Sequence, residues 1–99
     1  MAKYYISNKA VEDLSSIWEY TLETWSEAQA DIYYRELINA IKGIAERPCF
    51  FDREYVEIHQ GLFARQCKKH LVFYRLDNAG VVEIVRILHE RMDITRRLQ

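Results

Sequence analysis

Proline occurs once in this 99-residue chain, glycine three times and cysteine twice. So little Pro and Gly excludes a collagen-like repeat and a low-complexity linker. The two cysteines, Cys49 and Cys67, form no metal-ligand spacing and no Cys-x-x-Cys pair. They read as packing thiols of a reducing compartment, and no metal or cofactor is expected. Long hydrophobic runs are missing: the longest is Leu71–Tyr74, against roughly 20 residues for a bilayer span. The start, Met1 to Lys9, has no apolar stretch. No secretory signal or membrane association is therefore expected, and the expected location is the cytoplasm.

An excess of one charge sign is lacking as well, the formal net charge being −1. Residues 1–49 carry five Lys/Arg against eight Asp/Glu, and residues 50–99 nine against seven. That balance excludes a dedicated, strongly basic DNA-binding domain, so no specific DNA binding by the chain alone is expected. It leaves room for a basic face in the second half. With 49% hydrophobic and 29% charged residues, the composition is that of one globular domain over 1–99.

The apolar period is helical before Pro48 and strand-like after it. Lys3 to Ile6 fits a short strand, and Ser7 a helix N-cap. Val11, Leu14, Trp18, Leu22 and Trp25 form an apolar stripe on a helix to about Thr24, widened by Ile17 and Thr21. Ser26-Glu27-Ala28-Gln29 fits a capping box opening a second helix. Its stripe is Ala30, Tyr33, Leu37, Ala40, Ile41 and Ile44, and Pro48 ends it. The short connection predicts an αα-hairpin.

Four strands are expected after Pro48: Tyr55–His59, Phe63–Lys68, His70–Leu76 and Val81–Leu88. Asp77-Asn78-Ala79-Gly80 makes the last two a hairpin, which places Arg75 opposite Glu83. Asp93 to Leu98 fits a short helix capped by Asp93. The order β-α-α-β-β-β-β predicts an α+β fold, with the helical hairpin packed on one face of a twisted, mainly antiparallel sheet. The other face is expected to stay open. Phe50 and Phe51 are expected at the core edge, with an exposed binding patch as the alternative.

Candidate chemistry is sparse. No Gly-x-Ser-x-Gly elbow and no Gly-rich phosphate loop is present. His59, His70 and His89 lie far apart, though His70 and His89 could meet on paired strands. The main cluster is basic: Arg65, Lys68, Lys69, Arg86 and Arg91 could converge on the open sheet face. Three readings stay open: a solvated face, a surface for an acidic partner, and a phosphate grip that, with His89, could cleave RNA.

The run Lys68-Lys69-His70-Leu71-Val72-Phe73-Tyr74-Arg75 and the stretch Val85-Arg86-Ile87-Leu88-His89-Glu90-Arg91-Met92-Asp93 resemble the ParE toxins of bacterial toxin–antitoxin systems. These belong to the wider ParE/RelE superfamily. Ile6-Ser7, Asp13-Leu14, Tyr20 and Trp25 on the first helix, and Tyr33, Leu37 and Ile44-Ala45 on the second, agree with that resemblance.

The resemblance implies a RelE-like fold, a ParD-type antitoxin as partner, and DNA gyrase as target, inhibited by binding rather than by catalysis. The residues it points to for toxicity and target binding are Arg65, Arg86, His89, Arg91, Met92, Asp93, Arg96 and Arg97. For antitoxin contact they are Trp18, Leu22, Tyr33, Arg65 and Lys68. The alternatives are a RelE-type ribosome-dependent mRNA endoribonuclease, using Arg65, Arg86 and His89, or an inactive interaction module. No Tyr or His follows Met92, where RelE-type relatives often carry their acid–base residue.

Overall fold

A computed structural model describes residues 3–98; Met1, Ala2 and Gln99, the outer ends of the expected domain, lie outside the described residues. The order is β1 (Tyr4–Ile6), α1 (Asn8–Thr24), α2 (Glu27–Glu46), β2 (Arg53–Glu54), β3 (Phe63–Cys67), β4 (His70–Leu76), β5 (Val82–His89) and α3 (Ile94–Leu98). Five strands form one sheet in the order β1-β5-β4-β3-β2. Three pairs are antiparallel, while β1 runs parallel to β5.

Both helices start where their caps predict. The Ser7 hydroxyl accepts from the Ala10 N–H at 3.1 Å, and the Ser26 hydroxyl from the Gln29 N–H at 3.1 Å. Each satisfies a donor that the first helical turn leaves without a partner. In α2 the buried positions are Ala30, Leu37, Ile41 and Ile44, as its period predicts. The buried stripe of α1 is rotated from the expected one: it is Ala10, Leu14, Ile17 and Thr21 that face inward, with Ile17 only partly buried. Val11 and Trp25 are exposed. Trp18 turns toward α2 instead, its indole N–H donating to Asp31 at 3.3 Å. A helix with two neighbours has two inner faces, and periodicity alone cannot say which one meets the sheet.

Val72 and Tyr74 of β4 and Val82, Ile84 and Ile87 of β5 meet the helices in the main core. The step from Ile84 to Ile87 breaks strict alternation. Tyr74 pairs with Ile84 but Phe73 with Arg86, so Val85 is an extra residue in a bulge.

The other sheet face is not open. Ala64, Phe73 and Leu88 lie there under Tyr55 and Leu62, with Ile94 and Leu98 of α3 packed against them. Tyr55–His59 is no strand: its backbone bonds are local, Ile58 and His59 N–H groups both donating to the Tyr55 carbonyl. The segment folds as a compact turn closed at Gly61 (φ 82°) and caps this second core. Phe50 and Phe51 are outside the core, 63% and 80% exposed. The expected Asp77 turn and Asp93 cap are present. Asp77 accepts from Ala79 and Val81 at 2.9 Å, and Asp93 from Arg96 at 3.3 Å. No described helix is long and apolar enough to cross a membrane.

Candidate functional site

Where the helical hairpin meets the β3–β4 turn and the end of β5, a groove of about 720 Å³ opens. That volume is within the usual range for binding sites. Tyr20 and Trp25 from the end of α1 and Met92 after β5 form its apolar walls. Trp25 is 73% and Tyr20 67% exposed, so large aromatic surfaces stand in water here. Tyr33 of α2, His70 of β4 and His89 of β5 form its polar end, and Lys68 and Lys69 flank it.

The register brings the histidines together. His70 pairs with His89 across the ladder, and their rings stand edge to face at 5.2 Å. Nδ1 of His70 lies 2.6 Å from the Tyr33 hydroxyl. In one tautomer the phenol donates to it; in the other Nδ1–H donates, and the phenol turns to the Cys67 carbonyl at 3.4 Å. Burial, and secondarily the neighbouring His89, push the His70 pKa down to about 4. Burial pushes Tyr33 up to about 12. Near neutral pH Tyr33 and His70 are uncharged, so these two offer hydrogen bonds but no charge. The charge comes from the lysines: Lys68 sits 3.3 Å from Glu36 and Lys69 3.9 Å from Glu90, both pairs largely exposed and weak. Lys68 holds φ 54°, a left-handed conformation that glycine adopts more readily. An apolar groove with lysines at its lip suits an acidic, amphipathic segment.

Of the residues singled out from sequence as candidates for chemistry or contact, Tyr33, Lys68, Lys69, His70, His89 and Met92 meet in this groove. Trp18 and Leu22 are half-buried on the hairpin. The arginines do not converge on one face. Arg65 lies on the helix side of β3, at the far end of α2. It donates to Asp52 through Nε (2.7 Å) and Nη2 (3.0 Å). Arg86 is clamped to Asp13 of α1, through Nε at 2.8 Å and Nη2 at 3.0 Å. Arg91, Asp93, Arg96 and Arg97 are exposed on and before α3.

The arrays at the two clamps, Asp13 and Asp52, escaped sequence reading because their partners are distant in the chain. Tyr20 and Trp25 were readable as candidates in one respect. Tyr20 lies between Glu19 and Glu23 on a charged helix face, where an aromatic has no core to fill. Among the described residues no group of His, Cys, Asp and Glu has metal-site geometry.

A helical hairpin on one side of a mixed five-stranded sheet, with a groove at their junction, is the RelE/ParE-like toxin architecture. The structure titled "Chromosomal ParDE TA system from P. aeruginosa" superposes with a TM-score of 0.78, at 15% identity, over 90% of this chain and 96% of that one. At the level of sequence, residues 4–94 match the family described as ParE toxin of type II toxin-antitoxin system, parDE. Toxin ParE1 of Mycobacterium tuberculosis is 37% identical over 97 residues, covering 98% of both chains. Toxin ParE1 of Caulobacter vibrioides is 37% identical over 99 residues, covering 99% of both. The chain belongs to the ParE toxin family of type II toxin–antitoxin systems.

Proposed function

We propose that this chain arrests growth by binding DNA gyrase and blocking replication, and that a ParD-type antitoxin neutralises it in the cytoplasm. Membership of the ParE family along nearly the whole length carries this reading. The state of the two arginines supports binding over catalysis. A phosphodiester-cleaving site needs free guanidinium groups to grip a phosphate. Arg65 and Arg86 are instead each committed to a carboxylate, and they belong to different regions of the molecule. The fit of the groove to an acidic, amphipathic segment supports the antitoxin. Tyr33 and Lys68 contact it there, with Trp18 and Leu22 on the adjoining hairpin and Arg65 as an ion-paired neighbour further along α2. His89, Arg91, Met92, Asp93, Arg96 and Arg97, with the clamped Arg86, form the target-facing segment.

The decisive experiment mixes the purified chain with gyrase and relaxed plasmid. The expected outcome is lost supercoiling with accumulation of covalent gyrase–DNA complexes. Undisturbed supercoiling, together with messenger cleavage on translating ribosomes, replaces this reading with the nuclease one. Neither effect leaves an interaction module.

A further inference from the structure

The loop from α2 to β2 holds two phenylalanines out in water on a rigid mount. Phe50 and Phe51 pack edge to face, with ring centroids 4.4 Å apart. The residues around them are fastened to the core. The Cys49 N–H donates to the Tyr74 hydroxyl at 2.7 Å. That hydroxyl donates to Asp52, whose side chain is 1% exposed and also takes both bonds from Arg65. Arg65 donates in turn to the Arg47 carbonyl at 3.3 Å. Gly43 leaves room for this guanidinium, since a Cβ there would lie 3.1 Å from Arg65 Nη1, a tight contact. Cys49 accepts φ 67°, a strained value for a residue with a side chain, and the surrounding bonds hold it there. Residues 47, 49 and 52 are thus pinned while 50 and 51 project.

We propose that this Phe50–Phe51 tip is a second target anchor, a preorganised aromatic wedge that enters an apolar cleft with a carboxylate at its lip on the target protein. The inference rests on the reading that the chain acts by binding a protein target. A rigid mount lowers the ordering cost of association, and buried aromatic anchors dominate interface energies. The carboxylate follows from Arg47. Its guanidinium lies 5.8 Å over the Phe50 ring, and among the described residues it pairs with no acidic side chain. A nucleic acid is the poorer fit, because the chain is net acidic, with a pI near 6.3, and the tip has one uncompensated cation. The groove reaches along α2 as far as Tyr33, which leaves about 20 Å of helix before its end at Glu46. A ligand in the groove alone therefore leaves the tip accessible.

The test compares the wild-type chain with F50S/F51S, F50L/F51L and R47E. All four should melt at the same temperature, since the altered side chains are exposed. In the supercoiling assay F50S/F51S should need roughly 30-fold more protein for half inhibition, the loss of a main anchor. F50L/F51L should keep most of the potency, and R47E should lose several-fold. Full potency in F50S/F51S overturns the proposal. So does a change of oligomeric state in that variant by light scattering, which makes the tip a self-interface. If the wild-type chain spares gyrase yet arrests growth on induction, the gyrase reading fails, and growth of cells expressing F50S/F51S still decides the tip: normal growth supports it, arrest overturns it. A wild-type chain that arrests no growth overturns both.

Discussion

Asp13 does the work of three contacts. Its carboxylate takes two bonds from Arg86 and a third, at 3.0 Å, from the Ile87 N–H. The pairing of β1 with β5 stops at Ile6 and Ile84, so β1 offers Ile87 no strand partner. Ser7 completes the arrangement: its N–H donates to the Ile84 carbonyl at 2.9 Å and its hydroxyl to the Val85 carbonyl at 2.8 Å. Ser7 and the first two turns of α1 thereby satisfy polar backbone of β5 where its pairing with β1 ends. Asp13→Ala leaves a mostly buried guanidinium and an amide without acceptors. We expect a loss of about 2–4 kcal/mol, and a melting temperature lower by roughly 10–20 °C. Asp13→Asn should recover part of this, because its carbonyl oxygen still accepts from Ile87. Denaturant unfolding of both variants checks the order.

His70 gives the molecule a pH dependence whose sign is set by burial. Its pKa falls to about 4 in the fold, from an ordinary value of 6.5. Between those values the unfolded chain binds a proton that the folded chain rejects, so stability rises with pH there. The contribution is complete above pH 6.5 and is lost as the pH drops toward 4. His70→Gln should flatten the melting temperature over that window. An unaltered acid limb in the variant would assign the dependence to other groups.

At the scale of elements, the two helix caps look alike in sequence and differ in weight. Ser26 is exposed and makes its cap bond alone, whereas Ser7 also ties α1 to β5. Ser26→Ala should cost about 0.5–1 kcal/mol and Ser7→Ala about 2 kcal/mol. Equal shifts in chemical denaturation would show that the Val85 contact contributes nothing. The sheet follows the same logic. The β4–β5 hairpin was legible from its turn residues, down to Arg75 beside Glu83, which lie 2.6 Å apart. The segment 55–59 has the Tyr, Val and Ile of a strand, yet it folds as a local turn whose Tyr55 and Ile58 lie on the second core.

For the whole molecule, the groove is an apolar surface left uncovered between the two layers. Trp25 and Tyr20 are mostly exposed, so they stabilise little within the chain and their surfaces are free for a docked segment. Trp25→Ala and Tyr20→Ala should leave the melting temperature in place. Together they should weaken antitoxin binding by roughly 30-fold or more in calorimetric titration, the loss expected of interface hot spots. A fall in stability with unchanged affinity would make them packing residues instead.

Local patterning settled what depends on near neighbours in the chain: both helices, their caps, the break at Pro48, the Asp77 turn and the family-bearing stretch from Val85 to Asp93. Those features rest on spacings of one to four residues. Tertiary structure alone decided which face of α1 meets the sheet, that β1 runs parallel to β5, and that Arg65 and Arg86 are each bound to a carboxylate. It also decided that Phe50 and Phe51 stand outside. Each of these turns on a partner far away in sequence (73 residues for Arg86 and Asp13). A one-residue bulge re-aims every side chain beyond it, and no composition or period records where it falls.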